Sequence, residues 1–103
     1  MRKAAPIFAA LGDETRLQLI ARLSAGGPLS ITKLTAGFPM TRQAITKHLR
    51  VMEEAGLVRS TTQGRENLWA IEEARLVEAR RYLQQISSVW DERLVRLKRF
   101  VER

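Results

Sequence analysis

The sequence predicts a mainly α-helical fold with one small β-hairpin and a long C-terminal helix. Apolar residues recur at three- and four-residue spacing through most of the chain, which is the spacing of an amphipathic helix. The pattern changes only between Leu57 and Ile71, and no glycine or proline follows Glu72. With 103 residues, of which 45% are hydrophobic, the chain is long enough for one domain with a modest core.

Three short helices are expected in the first forty residues. The first spans Pro6–Leu11 and carries an apolar side, and the second begins at Asp13, whose carboxylate can cap it. The apolar face of the second helix consists of Leu17, Ile20 and Leu23, with Leu19 alongside. After a Gly-Gly-Pro loop, Ser30 can cap a third helix that buries Ile31, Leu34 and Phe38.

The most informative stretch is the next helix, between Met40 and Leu57. Thr41 can cap its start, and Gly56 can end it in the left-handed conformation. Its apolar stripe consists of Ala44, Ile45, Leu49, Met52 and Ala55. Off the stripe lie hydrogen-bond donors and positive charges, but no carboxylate, at Arg42, Gln43, Thr46, Lys47 and Arg50. A helix that is apolar behind and rich in donors in front can lie in a DNA major groove.

A β-hairpin is expected after this helix. Leu57–Thr62 and Asn67–Ile71 read as two strands joined by a polar turn that contains a glycine. Arg65 would lie at the tip, where it could enter a minor groove or contact a phosphate; the alternative is a solvated arginine. Two helices joined by a short turn and followed by such a hairpin form a winged helix-turn-helix.

The C-terminal segment predicts a long helix, either continuous or divided near Ser87. Its apolar stripe consists of Leu76, Leu83, Ile86, Trp90, Leu94, Leu97 and Val101. Because so long a helix extends beyond so small a domain, we expect it to pair with a second copy of the chain. Ile7, Phe8 and Leu11 of the first helix would contribute to that interface; the alternative is a helix folded back onto its own core. The organisation is then a DNA-binding unit over residues 1–71 and a dimerisation helix over residues 72–103, within one domain.

The charge distribution favours a nucleic-acid partner. The formal net charge is +7, and between Ser30 and Arg50 there are four basic residues and no acidic one. We therefore expect a DNA-binding regulator in which Arg42 and Gln43 read bases while Thr41, Lys47 and Arg50 hold phosphates. Two alternatives stay open: a winged-helix protein-interaction module that does not bind DNA, and a repressor with a small-molecule pocket between its long helices.

Other functional classes are poorly supported. The chain has one histidine and no cysteine, so neither a catalytic constellation nor a transition-metal site is expected, and no cofactor is implied. Glu53 and Glu54 are adjacent on a helix and their side chains diverge. His48 could contact a phosphate or pack between helices. The longest apolar runs are too short for a membrane span or a signal peptide, so a cytoplasmic location is expected.

The stretch from Phe8 to Ile71 resembles the ArsR-type winged-helix repressors of bacteria. The matching segments are FAALGDETRLQLIARL, LSITKL, TRQAITKHLRVMEEAGLV and QGRE. The resemblance implies a homodimer that binds a palindromic operator and blocks transcription. It also implies DNA contacts at the positions of Thr41, Arg42, Gln43, Thr46 and Lys47 and at the wing arginine, with dimerisation through the first and last helices.

This chain departs from the metal-sensing members of that family. Ser30 and Thr32 stand where those members carry cysteines, and the last helix has no histidine. The resemblance therefore points to a non-metal-sensing branch, whose effector the sequence does not identify.

Overall fold

The computed structural model describes residues 4–102; residues 1–3 and 103, at the ends of the two predicted units, lie outside it. Along the described chain, helices surround a small sheet, and one helix extends far beyond the rest. The elements are α1 (Ala4–Leu11), α2 (Glu14–Gly26), β1 (Leu29–Ser30), α3 (Ile31–Thr35), α4 (Arg42–Glu54), β2 (Val58–Gln63), β3 (Glu66–Ile71) and α5 (Glu73–Val101). The predicted fold class is confirmed.

The predicted helix starts are confirmed by side-chain caps. Asp13 accepts a hydrogen bond from the backbone N–H of Arg16 at 3.0 Å, and Thr41 accepts one from Ala44 at 3.1 Å. Ser30 caps α3 in the same way, at 3.4 Å from the nitrogen of Lys33. Each cap satisfies a backbone donor that has no partner within the first turn of its helix.

The sheet contains the predicted hairpin, with each strand beginning within one residue of the expected position. β2 and β3 pair antiparallel, from Val58 opposite Ile71 to Gln63 opposite Glu66. Gly64 opens the two-residue loop with φ +64°, a positive angle that hairpin loops of this length need. A third strand was not predicted: β1 pairs with the other edge of β3, with Leu29 opposite Trp69.

The core lies between the first four helices and the inner face of the sheet. The apolar stripe predicted for α4 is confirmed, since Ile45, Leu49 and Met52 are fully buried. The face predicted for α2 was partly wrong: Leu17 is 51% exposed, whereas Leu19, which was placed only beside that face, is fully buried. α2 is therefore rotated relative to the prediction, with Leu19 and Leu23 packed against the core.

α5 is continuous through Ser87, so the helix is not divided there. Its 29 residues correspond to about 44 Å at 1.5 Å per residue. The first part packs on the domain: Ala79 is buried, and the Tyr82 ring lies 5.7 Å from that of Phe8. From Leu83 to Glu102 every residue is exposed, and we call Leu83–Val101 the tail. Within one protomer the tail does not fold back onto the core.

One residue of the predicted dimer interface is misplaced. Ile7 is fully buried in the core of its own protomer, because α1 turns this side chain inward, so it cannot offer surface to a second copy. Phe8 and Leu11 are half-buried against the same core and keep part of their surface accessible.

Candidate nucleic-acid interface

α4 presents its donors away from the core. Burial of the apolar stripe fixes the rotation of the helix, so Arg42, Gln43 and Lys47 are exposed and Thr46 is half-buried beside them. Together with the exposed cap Thr41, these side chains form a surface that we call the donor face. The structure thus brings five of the seven predicted DNA-binding residues together on one side of one helix.

Arg42 is held by the helix that precedes it. Its Nη2 donates a hydrogen bond to Oγ1 of Thr32 on α3, at 2.8 Å. The contact limits the positions of the guanidinium while leaving its other N–H groups exposed for an acceptor. The sequence alone did not reveal this role for Thr32, because the contact depends on how α3 and α4 are placed relative to each other.

The turn between α3 and α4 is fixed by an arginine of α2. Arg22 Nη1 donates to the carbonyl oxygen of Leu34, at 2.9 Å, and to that of Ala36. Its guanidinium also lies 4.2 Å from the centre of the Phe38 ring. The turn covers residues 36–41 and is longer than predicted, because α3 ends sooner than expected. This anchor holds the start of α4 in place.

Arg50, which is exposed one helical turn after Lys47, has partners within the fold. Its Nη1 donates to Oε1 of Glu53 at 2.8 Å, and its guanidinium lies 5.2 Å from the centre of the Trp69 ring on β3. Oε2 of Glu53 in turn accepts a hydrogen bond from the hydroxyl of Ser60 on β2, at 3.1 Å. The hydrogen bond from Arg50, followed by that from Ser60, holds the pKa of Glu53 below its ordinary value, so Glu53 is ionised and neutralises Arg50.

His48 packs between helices, which was one of the two predicted alternatives. Its Nδ1 lies 3.2 Å from Nη1 of Arg16 and 3.8 Å from Oδ2 of Asp13, both on the α2 side. Arg16 Nε also donates to the carbonyl oxygen of Ala10 at 2.5 Å. The backbone N–H of Arg16 is the main reason that the pKa of Asp13 is lowered.

β2, β3 and their loop form the wing. Arg65 is exposed in the loop, as predicted, and in the described part of the chain neither Arg65 nor Lys47 takes part in an ion pair. The hydroxyl of Thr62 donates to Oδ1 of Asn67 at 3.0 Å and links the two strands near the tip. The wing therefore carries an uncompensated cation at its end.

Two other features concern functional class. Among residues 4–102, no cluster of three or more histidine or carboxylate side chains has the arrangement of a metal site. In the same range, no helix is both long enough and apolar enough to cross a membrane.

Comparisons with known proteins agree with this geometry. A family model described as a helix-turn-helix domain matches residues 11–61. The chain is 33% identical over 76 residues to an HTH-type transcriptional regulator of Methanocaldococcus jannaschii, covering 74% of this chain and 85% of that protein. It is 31% identical over 64 residues to the arsenical resistance operon repressor of Bacillus subtilis, covering 62% of this chain and 61% of the repressor.

A solved structure extends the match to almost the whole chain. The ArsR-like transcriptional regulator from Rhodococcus sp. RHA1 has a TM-score of 0.78 and 37% sequence identity, and the match covers 96% of this chain and 92% of that one. These relatives are named as transcriptional regulators and not as enzymes, in agreement with the prediction from sequence. The chain therefore belongs to the ArsR-type family of winged helix-turn-helix, DNA-binding transcriptional regulators.

Proposed function

We propose that this regulator is a repressor that binds a palindromic operator as a homodimer. The observation that carries the proposal is the donor face of α4, which is exposed, free of carboxylates and accompanied by the cationic tip of the wing. A surface of this kind can place donors against base edges while its cations offset phosphate charge.

The side chains of the donor face and the wing fall into two groups, those that read bases and those that bind phosphates. Arg42 can donate two hydrogen bonds to a guanine, and Gln43 can both donate to and accept from an adenine, so these two read bases. Thr41, Thr46 and Lys47 lie beside them and bind phosphates. Arg65 reaches the neighbouring minor groove or its phosphates from the wing.

The tail supports a homodimer. Its exposed apolar side chains repeat at an eleven-residue interval, with Leu83, Ile86 and Trp90 followed by Leu94, Leu97 and Val101. We call these six residues the tail stripe. Large apolar side chains such as Trp90 and Leu94, each more than half exposed, are unusual over so long a surface in a monomer. An eleven-residue repeat keeps a stripe on one side of a helix, as two-helix packing requires.

Pairing of the tails would also determine the symmetry of the operator. A two-fold axis through paired tails would present two donor faces, and these could enter successive major grooves about 34 Å apart. An operator with two inverted half-sites follows from that symmetry. Repression is proposed because the similar arsenical resistance protein is a repressor.

DNA binding can be tested with a duplex selected from a random pool and measured by fluorescence anisotropy. We expect Lys47→Ala to weaken binding to every duplex and Gln43→Ala to change base preference. Arg99→Ala removes a cation from the exposed tail instead, and should leave affinity nearly unchanged. If the wild-type protein leaves all duplexes unbound at low salt, or if Arg99→Ala and Lys47→Ala have equal effects, the proposal is wrong.

The dimer can be tested by sedimentation. Leu94→Glu places a charge in the tail stripe, so we expect monomers and the loss of two-half-site binding. Arg99→Glu adds the same side chain on another side of the helix and should remain dimeric. A monomeric wild-type protein, or a Leu94→Glu variant that sediments as a dimer, would contradict the assigned interface.

A further inference from the structure

Four side chains connect the far end of α4 to both strands of the wing. Arg50 donates to Glu53 at 2.8 Å, the hydroxyl of Ser60 donates to Glu53 at 3.1 Å, and the Arg50 guanidinium lies 5.2 Å from the centre of the Trp69 ring. We call this group the wing bracket. It comprises one ion pair, one hydrogen bond and one cation–π contact, and it spans three elements of structure.

We propose that Arg50 is a positioning residue, which uses the wing bracket to set the wing relative to α4 so that Arg65 meets DNA when the donor face does. The inference rests on the proposed DNA-binding function and assigns Arg50 a role different from the phosphate contact that the sequence predicted.

The register of the sheet explains how a few contacts can hold the whole wing. Ser60 and Trp69 are directly opposite each other on β2 and β3, so the bracket holds both strands at one level. Trp69 is only 3% exposed and also lies opposite Leu29 of β1, which ties this level to the core. The wing bracket therefore contacts the hairpin at Ser60 and Trp69, where the hairpin is attached to the core, and the rest of the wing extends from this point.

A small tilt of the hairpin at Ser60 and Trp69 becomes a larger displacement at the tip of the wing. Three more residues follow Ser60 before the loop, a length of about 10 Å at 3.3 Å per residue. A tilt of about 10° at the base would move the Arg65 backbone by about 2 Å. Hydrogen-bond distances tolerate only a few tenths of an ångström, so the angle at the base affects whether Arg65 makes its contact.

The charges in the bracket separate this role from a direct phosphate contact. Glu53 is a carboxylate on α4, the helix that carries the donor face, so on charge alone its removal should strengthen binding and also free Arg50 for phosphate. If the bracket positions the wing, removing Glu53 should weaken binding instead. The two roles of Arg50 thus predict opposite changes in DNA affinity when Glu53 is replaced.

The experiment measures the affinity of each variant of the full chain for the selected duplex. We expect Glu53→Gln to weaken binding about three- to tenfold, the effect of losing one hydrogen-bonded contact. Glu54→Gln is the matched control, because Glu54 is exposed on the same helix and is not a member of the bracket; its binding should be unchanged or slightly tighter. Ser60→Ala changes no charge and should weaken binding in the same direction as Glu53→Gln.

A double-mutant cycle with Arg65→Ala tests whether the wing bracket affects DNA binding through Arg65. Once Arg65 is gone, Glu53→Gln and Ser60→Ala should have little further effect, because the contact that the bracket positions is absent. Tighter binding by Glu53→Gln would overturn the inference, and so would full additivity with Arg65→Ala. If Glu53→Gln does not fold, the affinity of Ser60→Ala for the duplex serves as the test of the wing bracket. Wild-type protein that binds no duplex refutes the proposed function itself, whereas normal binding by both bracket variants refutes only the bracket.

Discussion

The orientation of α4 can be tested without DNA, through the substitution Ile45→Ala. Ile45 is fully buried and belongs to the core cluster, whereas Gln43, two residues earlier, is exposed. The same helix therefore carries one position that is sensitive to truncation and one that is not. The substitution therefore tests the rotation of α4, on which the exposure of the donor face depends.

The expected magnitude follows from the burial of Ile45. Truncation to alanine removes three carbon atoms, worth about 2.4 kcal/mol at 0.8 kcal/mol per buried carbon. Incomplete collapse of the cavity adds to this, so we expect a loss of about 2.5–4 kcal/mol in the free energy of unfolding. Against a typical total of about 5–15 kcal/mol, the loss is large enough to measure easily.

The assay is urea unfolding at one fixed protein concentration, because dimerisation would make stability depend on concentration. Gln43→Ala is the control and should stay within about 0.5 kcal/mol of the wild type. If Ile45→Ala costs less than about 1 kcal/mol while Gln43→Ala costs more, α4 is turned the other way. Its donors would then face inward, and the proposed interface would not exist.

Three further predictions concern single contacts. Gly56→Ala should lower the free energy of unfolding by about 1–2 kcal/mol in urea titrations, because φ is +78° and the new Cβ would lie 2.9 Å from Arg75 Nε. Thr32→Val should weaken the base preference set by Arg42 in duplex selections, whereas Thr32→Ser, which keeps the hydroxyl, should not. The lowered pKa of Glu53 stabilises the fold above the ordinary glutamate pKa; this stability is lost on acidification, and Glu53→Gln should flatten pH-dependent thermal unfolding.

Local pattern was sufficient to predict most of the fold and the donor face. The caps at Asp13, Ser30 and Thr41 act within three residues, so their sequence signals survive in the structure. The stripe of α4 is strongly periodic, and its burial fixes which side chains face outward. Arg65 could be placed because the predicted polar turn of four residues, with Gly64 at its centre, leaves few positions for a tip residue; the structure shortens that turn to two residues.

The features that were missed depend on how distant elements meet. β1 has only two residues, too few to show alternation, and exists because β3 has an edge available. The position of Arg50 off the apolar stripe was read correctly. Its partners, Glu53 and Trp69, could be found only after α4 had been packed beside the wing. Ile7 was assigned to an interface because periodicity cannot tell a protomer's own core from a partner.

The salt dependence of duplex affinity tests the central claim most directly. If two protomers each place Lys47 and Arg65 on phosphates, four cations displace counterions, and log K should fall against log salt with a slope of about −4. Lys47→Ala should reduce the magnitude of that slope by about 2, one for each protomer. A wild-type slope near zero, or a slope that Lys47→Ala leaves unchanged, would contradict the claim that paired donor faces bind DNA.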